Sequence, residues 1–524
     1  MPLARIWSQQ CSPRHEKECV EQASESLFSS ATAANSDQRS HTMPARTWTN
    51  PRTGAEETLS LAMHTPEEVA EIAARSHTVW LEFRQSTTDQ RAAVLEALAA
   101  GLEAHEDELV EIADTESALG ETRLRGELAR TTFQLRMFAE ALTAGTILAT
   151  ERDEPVEGPP PAGRPELVRR YIPLGPVAVF GASNFPFAFS VLGGDTASAL
   201  AAGCTVVVKE HSAQPRLGER TVAVARESLQ AAGHNPDIIQ SVRGTQAGAD
   251  LVGAPEISAV GFTGSLSGGR ALYDIAVNRP HPIPFYGELG SMNQVVVTRE
   301  AAAARPEEIG KGFVESLLLG AGQFCTKPSV LLYPRESRLL ETVKALLDEA
   351  EPMALLTTKI ADQYASRVEQ MRQAPSVVVA AGRQTEDAGA WVTPTLFEAS
   401  VDEITREGSP LSEECFGPSA VVVPYDSDED VSRILSSDEG ILVGCVHAEP
   451  NDPQADDVID ALTRRAGRVV WNGWPTGVAV TRAQMHGGPY PAATVPGATS
   501  VGLHAVMRFA RPVVWQSFPE DKRK

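Results

Sequence analysis

The feature that most restricts the fold of this chain is a repeated order of apolar strand, turn and amphipathic helix that begins after Gly175. Short apolar runs bounded by turn residues alternate with segments in which apolar residues recur every three or four positions. The strands predicted in this region are Pro176–Phe180, Thr205–Lys209, Ile238–Val242 and Ala259–Thr263. Parallel strands need a crossover between them, so this order predicts a parallel sheet with helices on both faces.

A second α/β unit is predicted after Gln294, where the same alternation returns. Its predicted strands are Val295–Val297, Val330–Tyr333, Ala420–Pro424, Ile441–His447 and Val469–Trp471. The region from Thr65 to about Leu148 has helical periodicity instead. The connector Glu154–Pro165 (EPVEGPPPAGRP) breaks every periodicity. We therefore expect an α/β protein with two main units.

Charge and cysteine content exclude several classes of protein. Lys and Arg total 46 against 69 Asp and Glu, a net charge of −23 that repels nucleic acid and anionic membranes. No apolar run reaches the roughly 20 residues of a membrane span. The six cysteines show neither a C-x-x-C pair nor metal-ligand spacing, so we expect free thiols, no metal site and a cytoplasmic protein. Met1–His41 lacks the apolar core of a signal peptide, and residues 1–42 are predicted to be a disordered extension.

Two segments place a candidate reactive residue close to glycines. Cys325 lies in Gly320–Pro328 (GAGQFCTKP), a loop whose glycines let a substrate approach the backbone. A thiol there is a candidate nucleophile, although buried cysteines are more often inert packing residues. Glu288 lies in Pro284–Asn293 (PFYGELGSMN), where a carboxylate in an apolar segment suits a base that activates water, or else an ordinary turn acid.

Two further segments follow predicted strands directly. Asn184, in Gly181–Pro186 (GASNFP), can donate to a developing oxyanion or cap the helix predicted over Asn184–Ala202. Phe262–Ser265 (FTGS) is a glycine-containing turn between a strand and a helix, which suits the backbone N–H groups that bind a pyrophosphate.

The order of these motifs resembles that of the aldehyde dehydrogenase family. The resemblance extends from about Thr47 to Pro519 and follows the order in which the motifs occur in the family. The motifs are Ser-Asn-Phe-Pro, a strand ending in Lys209, Phe-Thr-Gly-Ser, Glu-Leu-Gly-Ser, Gly-Gln-x-Cys-Thr and Glu-Cys-Phe-Gly-Pro. The resemblance implies a thioester mechanism in which Cys325 is the nucleophile and Glu288 the hydrolytic base. Asn184 and the Cys325 backbone N–H would hold the oxyanion.

The resemblance also implies NAD(P)+ as the cofactor. The implied contacts, on the matching positions of this sequence, are Lys209, Phe262, Thr263, Gly264, Ser265, Leu289, Glu414 and Phe416. One position departs from NAD-preferring relatives, since Ser212 in Lys209–Ser212 (KEHS) replaces a glutamate that would repel a 2′-phosphate. We therefore expect NADP+ to be accepted and preferred over NAD+, with Arg243 as a second phosphate contact, while Glu210 could still take the acidic role.

The implied fold is a Rossmann-like cofactor domain, an α/β catalytic domain and a small β oligomerisation hairpin. The expected division is 43–155 with 173–287 for the cofactor, 288–504 for catalysis, and 156–172 with 505–524 for oligomerisation. The apolar segment Met507–Trp515 has no evident partner of its own, which fits a strand added across the interface of a homodimer or homotetramer.

Substrate motifs resemble one branch of the family, the α-ketoglutarate semialdehyde (2,5-dioxopentanoate) dehydrogenases with a related long-chain enzyme. They include Gly193–Gly203 (GGDTASALAAG), Trp471–Gly477 (WNGWPTG) and His486–Pro491 (HGGPYP). The semialdehyde is the expected substrate, and a medium- or long-chain aldehyde in an apolar tunnel formed by Phe185, Phe187, Phe189 and Trp474 is the alternative. Transfer of the acyl group to coenzyme A, a cysteine hydrolase and a catalytically idle relative are the other interpretations, against which the Cys325, Glu288 and Asn184 set argues.

Overall fold

The computed structural model describes residues 46–385, 387–519 and 522, so the extension predicted for residues 1–42 lies outside the described part. This part opens with an antiparallel hairpin of β1 (Arg46–Thr49) and β2 (Glu56–Leu59). Four helices follow, namely α1 (Pro66–Phe83), α2 (Thr88–Ala104), α3 (Glu106–Ser117) and α4 (Glu121–Thr143). Capping boxes begin α1 and α2, so the predicted helical region is confirmed.

A five-stranded parallel sheet forms the first α/β unit, with strand order β7-β6-β5-β8-β9. Its strands are β5 (Val177–Phe180), β6 (Val206–Lys209), β7 (Ile239–Val242), β8 (Ala259–Thr263) and β9 (Phe285–Glu288). The helices among them are α5 (Gly194–Ala202), α6 (Pro215–Ala231), α7 (Thr245–Gly253) and α8 (Leu266–Asn278). The predicted parallel sheet is confirmed, and β9 is an additional edge strand that the predicted boundary between 287 and 288 cuts.

The helix predicted over Asn184–Ala202 is wrong in its first half. Only Gly194–Ala202 is helical, and residues 183–193 form a series of turns. At Gly193 the chain passes so close to the Ala188 carbonyl that a Cβ there would overlap it. Asn184 is therefore held on a loop above β5 and does not cap a helix.

A seven-stranded sheet forms the second unit, with order β13-β15-β16-β11-β10-β17-β18. Its strands are β10 (Gln294–Val297), β11 (Val330–Pro334), β13 (Ser376–Ala381), β15 (Thr395–Ala399), β16 (Ser419–Tyr425), β17 (Ile441–His447) and β18 (Ala466–Trp471). All neighbours are parallel except β13 with β15. A small pair, β12 (Met353–Ala354) with β14 (Trp391–Val392), lies outside it. The helices are α9 (Arg299–Ala304), α10 (Pro306–Leu318), α11 (Leu339–Asp348), α12 (Thr358–Gln373), α13 (Val401–Ile404), α14 (Asp428–Leu435) and α15 (Pro453–Arg465).

A three-stranded antiparallel sheet consists of β3 (Glu151–Asp153), β4 (Leu167–Pro173) and β19 (Ala510–Gln516). The expectation that the carboxyl-terminal segment lacks a partner in its own chain is wrong, because β19 pairs with β4 along its full length. The preceding turn, Leu503–Phe509, is anchored by a buried ion pair of 2.7 Å between Arg508 and Asp195. This anchor brings the chain alongside β4.

Apolar cores lie on both faces of each large sheet, as alternation along the strands requires. In β5, Val177 and Val179 face one core and Ala178 faces the other. In β10, Val295 and Val296 likewise point to opposite cores. Within the described residues, no helix combines the length and apolarity needed to cross a membrane.

Candidate active site

Cys325 lies on a tight loop after α10. Gly320, Ala321 and Gly322 are all in the left-handed region, with φ of 57°, 58° and 67°, so the chain reverses sharply before the cysteine. A Cβ at Gly322 would overlap the Gly417 carbonyl, so the loop rests against the segment after Phe416. Asn293 fixes the other side, because its Nδ2 donates to the Cys325 carbonyl oxygen at 2.7 Å.

Glu288 is the last residue of β9 and points into the same site. Its side chain is buried, and burial raises the pKa of its carboxyl group to about 8. The adjacent backbone is fixed, since Leu289 N–H donates to the Ala492 carbonyl at 2.8 Å and Gly264 N–H donates to the Glu288 carbonyl at 3.1 Å. A carboxyl group with this pKa is suited to exchange protons near neutral pH.

His486 completes the centre, and sequence reasoning missed it. Its Nε2 lies 3.7 Å from Cys325 Sγ and 3.2 Å from Glu288 Oε2. Burial, with Arg468 and Arg130 nearby, lowers the pKa of His486 to about 3, so the imidazole is neutral at physiological pH. The residue is 161 positions from the cysteine, and the only sequence signal was the HGGPYP motif used for the substrate branch.

The surroundings of the Cys325 thiol favour its protonated form. Cys325 is half-buried, and burial together with the Glu288 and Glu414 carboxyl groups raises the pKa of its thiol above the usual value. With a pKa of about 3, the His486 imidazole is too weak a base to take up this proton, so it can assist the sulfur only as a neutral hydrogen-bond partner.

Asn184 meets the cysteine loop across the cavity. Its Nδ2 donates to the Gln323 carbonyl at 2.8 Å, and Arg123 Nη2 donates to the Asn184 carbonyl at 2.6 Å. A side-chain amide has two N–H donors, so this bond leaves the second for a ligand. Asn184 thus stands beside Cys325 with a donor suited to an oxyanion.

Glu127 of α4 supports the Asn184 loop from below. Its Oε1 accepts backbone N–H bonds from Phe187 at 2.8 Å and from Ala188 at 3.0 Å. The carboxyl group is fully buried, and burial raises its pKa. The loop after β5 is therefore positioned by a helix that precedes it by some 60 residues in the chain.

A cavity of about 680 Å³ extends from Cys325, Glu288 and Asn184 to the carboxyl ends of the five-stranded sheet. Segments after β5, β6, β8 and β9 line it, as expected for the crevice where strand order reverses. The predicted site residues that border it are Asn184, Ser212, Thr263, Gly264, Ser265, Glu288, Leu289, Cys325, Glu414 and Phe416.

Three predicted cofactor residues do not border this cavity. Phe262 packs in the core, with its ring 5.8 Å from that of Phe285. Lys209 ends β6 and is half-buried. Arg243 lies 3.4 Å from Glu210 Oε1, and its Nε donates to the Ala62 carbonyl at 3.1 Å.

The cavity has the features that a dinucleotide needs. Ser265 caps the N-terminus of α8, with its Oγ accepting from Gly268 N–H at 3.3 Å, so the positive end of a helix opens onto the cavity. A Cβ at Gly290 would overlap the Glu414 carboxylate, so glycine is needed where the two loops approach. Sequence reasoning missed two lining segments, Thr47–Thr49 of β1 and the start of α12 around Lys359, which carry no nucleotide motif.

Lys327 and Glu414 tie the cysteine loop to the loop that carries Phe416. Burial raises the pKa of Glu414 to about 7, and the Lys327 ammonium opposes this rise. The buried Lys327 Nζ donates to the Cys415 carbonyl at 2.8 Å and also to the Ser419 carbonyl. The second α/β unit thus forms its side of the cavity from two loops that are joined by the hydrogen bonds of Lys327.

The cavity thus combines the features that a dinucleotide needs with a thiol and a buried carboxyl group at its wall, and comparisons with known proteins identify the family. The profile of the aldehyde dehydrogenase family matches residues 39–491. The chain therefore belongs to the aldehyde dehydrogenase family.

Two relatives are similar to this chain over most of their length. The alpha-ketoglutaric semialdehyde dehydrogenase of Acinetobacter baylyi is 38% identical over 457 residues, covering 86% of this chain and 87% of the relative. Alpha-ketoglutaric semialdehyde dehydrogenase 2 of Azospirillum brasilense is 41% identical over 446 residues, covering 84% and 85%.

Solved structures show the same fold. A mutant aldehyde dehydrogenase of Bacillus cereus superimposes with a TM-score of 0.76 at 21% identity, covering 90% of this chain and 92% of that one. PnpE in complex with nicotinamide adenine dinucleotide gives a TM-score of 0.77 at 22% identity, covering 91% and 95%. The predicted fold class is confirmed.

Proposed function

We propose that this enzyme oxidises α-ketoglutarate semialdehyde (2,5-dioxopentanoate) to 2-oxoglutarate through a thioester on Cys325. The observation that carries the proposal is the grouping of three side chains. His486 Nε2 lies 3.7 Å from Cys325 Sγ and 3.2 Å from Glu288 Oε2, and both Cys325 and Glu288 border the cavity. The choice of aldehyde is supported by relatives of that name at 38% and 41% identity.

The chemistry follows from the positions of the side chains. Cys325 Sγ attacks the aldehyde carbon as a thiolate, after its proton has passed to solvent, and the oxyanion accepts hydrogen bonds from Asn184 and the Cys325 backbone N–H. A bound nicotinamide supplies the hydride acceptor that makes the step an oxidation. Glu288 then takes a proton from the water that attacks the thioester, releasing the acid and the thiolate.

Hydrolysis is favoured over transfer to coenzyme A because of Glu288. Its buried carboxyl group, with a pKa of about 8, borders the same cavity as the thiol and serves to activate water. An enzyme that conserved the thioester for a second thiol would gain nothing from such a base. Three intact groups, Cys325, Glu288 and Asn184, also argue against an idle relative.

NADP+ is our proposed cofactor, with NAD+ as a second substrate of the same site. Ser212 borders the cavity, where a hydroxyl can bond a 2′-phosphate. Glu210 is buried and directed elsewhere, accepting from Ser241 Oγ at 2.6 Å and lying 3.4 Å from Arg243. No acidic side chain from this segment borders the cavity among the described residues, which supports tolerance of the phosphate.

The division into domains and the assembly also remain proposals. We assign the five-stranded sheet to the cofactor, the seven-stranded sheet to catalysis and the three-stranded sheet to homodimer or homotetramer formation. Val514 on β19 is 53% exposed, as an interface strand would be in a single chain. The described cysteines are all free thiols, which supports a cytoplasmic site of action.

An apolar aldehyde is the second candidate, because aromatic rings pack against one another next to the cysteine loop. Phe185 lies 5.3 Å from Phe189 and 5.0 Å from Phe324, measured between ring centroids. A medium-chain aldehyde could pack along these rings.

The deciding experiment measures formation of reduced cofactor by the purified chain. 2,5-Dioxopentanoate and a medium-chain aldehyde are compared with NADP+ and NAD+, and Cys325→Ala serves as the blank. We expect the semialdehyde and NADP+ to give the highest kcat/KM. Turnover of only the apolar aldehyde would reject the proposed substrate, and equal or higher efficiency with NAD+ would reject the cofactor preference.

A further inference from the structure

Arg130 places a positive charge next to the reaction centre from a side of the site that the cofactor cavity does not include. It lies on α4, and its guanidinium carbon is 5.8 Å from the centre of the Phe189 ring. That ring is 6.0 Å from the ring of His486, whose Nε2 is 3.7 Å from Cys325 Sγ. Arg130 is absent from the residues that line the cofactor cavity.

The donors of Arg130 are buried without a protein acceptor. Among the described residues, Nε and Nη2 are shielded from solvent and make no hydrogen bond. A buried donor without an acceptor costs free energy in a folded protein. We therefore expect a group that accepts hydrogen bonds from these donors during function. Burial also lowers the pKa of Arg130, whereas the negative charges of ionised Glu127 and Cys325 act to raise it.

The two unoccupied donors have a geometry that selects their ligand. Nε and Nη2 form one edge of the planar guanidinium, and their N–H bonds run parallel. This edge matches the two oxygens of a carboxylate in a bidentate pair. An aldehyde oxygen or an alkyl chain would use at most one of them.

Neighbouring arginines are already engaged. Arg123 donates through Nη2 to the Asn184 carbonyl and stacks on the Phe324 ring at 4.9 Å, so it supports the oxyanion loop. Arg468 donates through Nη1 to the Gly477 carbonyl at 2.7 Å and through Nη2 to the Pro475 carbonyl. Arg130 is the buried cation near the thiol that keeps a complete bidentate edge for a ligand.

We propose that the Nε and Nη2 edge of Arg130 binds the carboxylate at the far end of the substrate and so selects an aldehyde acid over a neutral aldehyde. This inference rests on the proposed function, because the semialdehyde carries its carboxylate at the end opposite the aldehyde. This pairing holds the substrate with its aldehyde group at Cys325. The Phe189 ring packs against the carbon atoms between the carboxylate and the aldehyde.

The test compares substrates of equal length. For the wild type, Arg130→Met and Arg130→Lys, kcat/KM is measured with 2,5-dioxopentanoate and with pentanal. We expect Arg130→Met to lose on the order of a hundredfold with the semialdehyde, mainly through KM, with little change for pentanal. Arg130→Lys should recover part of the loss, because an ammonium keeps the charge without the bidentate edge.

A matched control is available on the same helix. Arg136 pairs with Glu96 and Glu103 at the surface, so Arg136→Met removes a charge from α4 away from the thiol. We expect Arg136→Met to leave kcat/KM unchanged with both substrates. Equal losses on both substrates in Arg130→Met, or no loss on either, would overturn the proposal.

A second readout separates this inference from the proposed function. Alkylation of Cys325 by iodoacetamide is followed with and without 2-oxoglutarate, which carries the same carboxylate and needs no turnover. We expect protection in the wild type and at least a tenfold weaker protection in Arg130→Met. Protection that is equal in the two proteins contradicts the role of Arg130, whereas a wild type that is protected yet inert towards the semialdehyde contradicts only the proposed function.

Discussion

The Cys325 thiol lies 3.7 Å from His486 Nε2, and the same nitrogen lies 3.2 Å from Glu288 Oε2. A neutral imidazole carries one N–H, so a donor at Nε2 can serve either a Cys325 thiolate or the Glu288 carboxylate. The pKa of His486 is lowered to about 3, which keeps it neutral throughout the working range. The histidine thus lies between the proposed nucleophile and the proposed base.

His486→Leu should slow the attack of the thiol. Leucine has no N–H to donate to the Cys325 thiolate, so the thiolate forms only at higher pH, and kcat/KM should fall by about a hundredfold. The rate of iodoacetamide alkylation against pH measures the effect directly, with Cys325→Ser reporting background from other thiols. An unchanged alkylation profile would show that His486 does not stabilise the thiolate.

Glu288→Gln should stop the enzyme after one turnover. Without the base the thioester persists, so reduced cofactor should form in a burst close to one equivalent per site and then cease. Stopped-flow absorbance measures the burst. Continued steady turnover at the wild-type rate would mean that another group activates water.

The same carboxyl group sets a pH dependence for hydrolysis. With a pKa near 8, Glu288 is mostly protonated at pH 7 and gains its basic form as pH rises, so the thioester hydrolysis rate should increase through about pH 8. Single-turnover acid release between pH 6 and 10 tests this. A rate that is flat above pH 6 would place the operative pKa elsewhere.

Ser212→Glu should shift cofactor use from NADP+ towards NAD+. The new carboxylate would stand at the cavity and repel the 2′-phosphate, so kcat/KM for NADP+ should fall at least tenfold while that for NAD+ is kept or raised. Ser212→Ala controls for loss of the hydroxyl alone. An unchanged ratio of kcat/KM for NADP+ to kcat/KM for NAD+ would mean that the 2′-phosphate does not lie near this residue.

Glu116→Ala should destabilise the fold away from the site. The buried Glu116 carboxylate accepts backbone N–H bonds from Arg216 at 3.1 Å and Leu217 at 3.0 Å, and so caps α6, whose own Gln214 makes no side-chain cap. Losing this acceptor should cost about 1–3 kcal/mol of the free energy of unfolding. Glu116→Gln, which retains an acceptor, should lose less, and thermal denaturation compares the two. Equal melting temperatures in all three proteins would contradict the cap.

The local pattern of the sequence predicted the parallel sheet and most strand positions, and it drew attention to two candidate reactive residues. Strand Ala259–Thr263 and strand Ile441–His447 occur with the predicted bounds. Such features follow from residues close together in the chain, where periodicity and turn chemistry act directly. Cys325 was recognisable because glycines precede it, and Glu288 because a glycine lies on each side of it.

Only the tertiary structure decided which distant residues share the site. His486 reaches Cys325 across 161 residues, and Arg130 approaches from a helix whose pattern shows only an amphipathic face. Three other features are equally non-local. They are the pairing of β19 with β4, the contact of Arg243 with Glu210, and the loop that replaces the predicted helix after Asn184. Local sequence fixes the dihedral preferences and the apolar face of each element, whereas the packing of one element on another fixes which side chains meet.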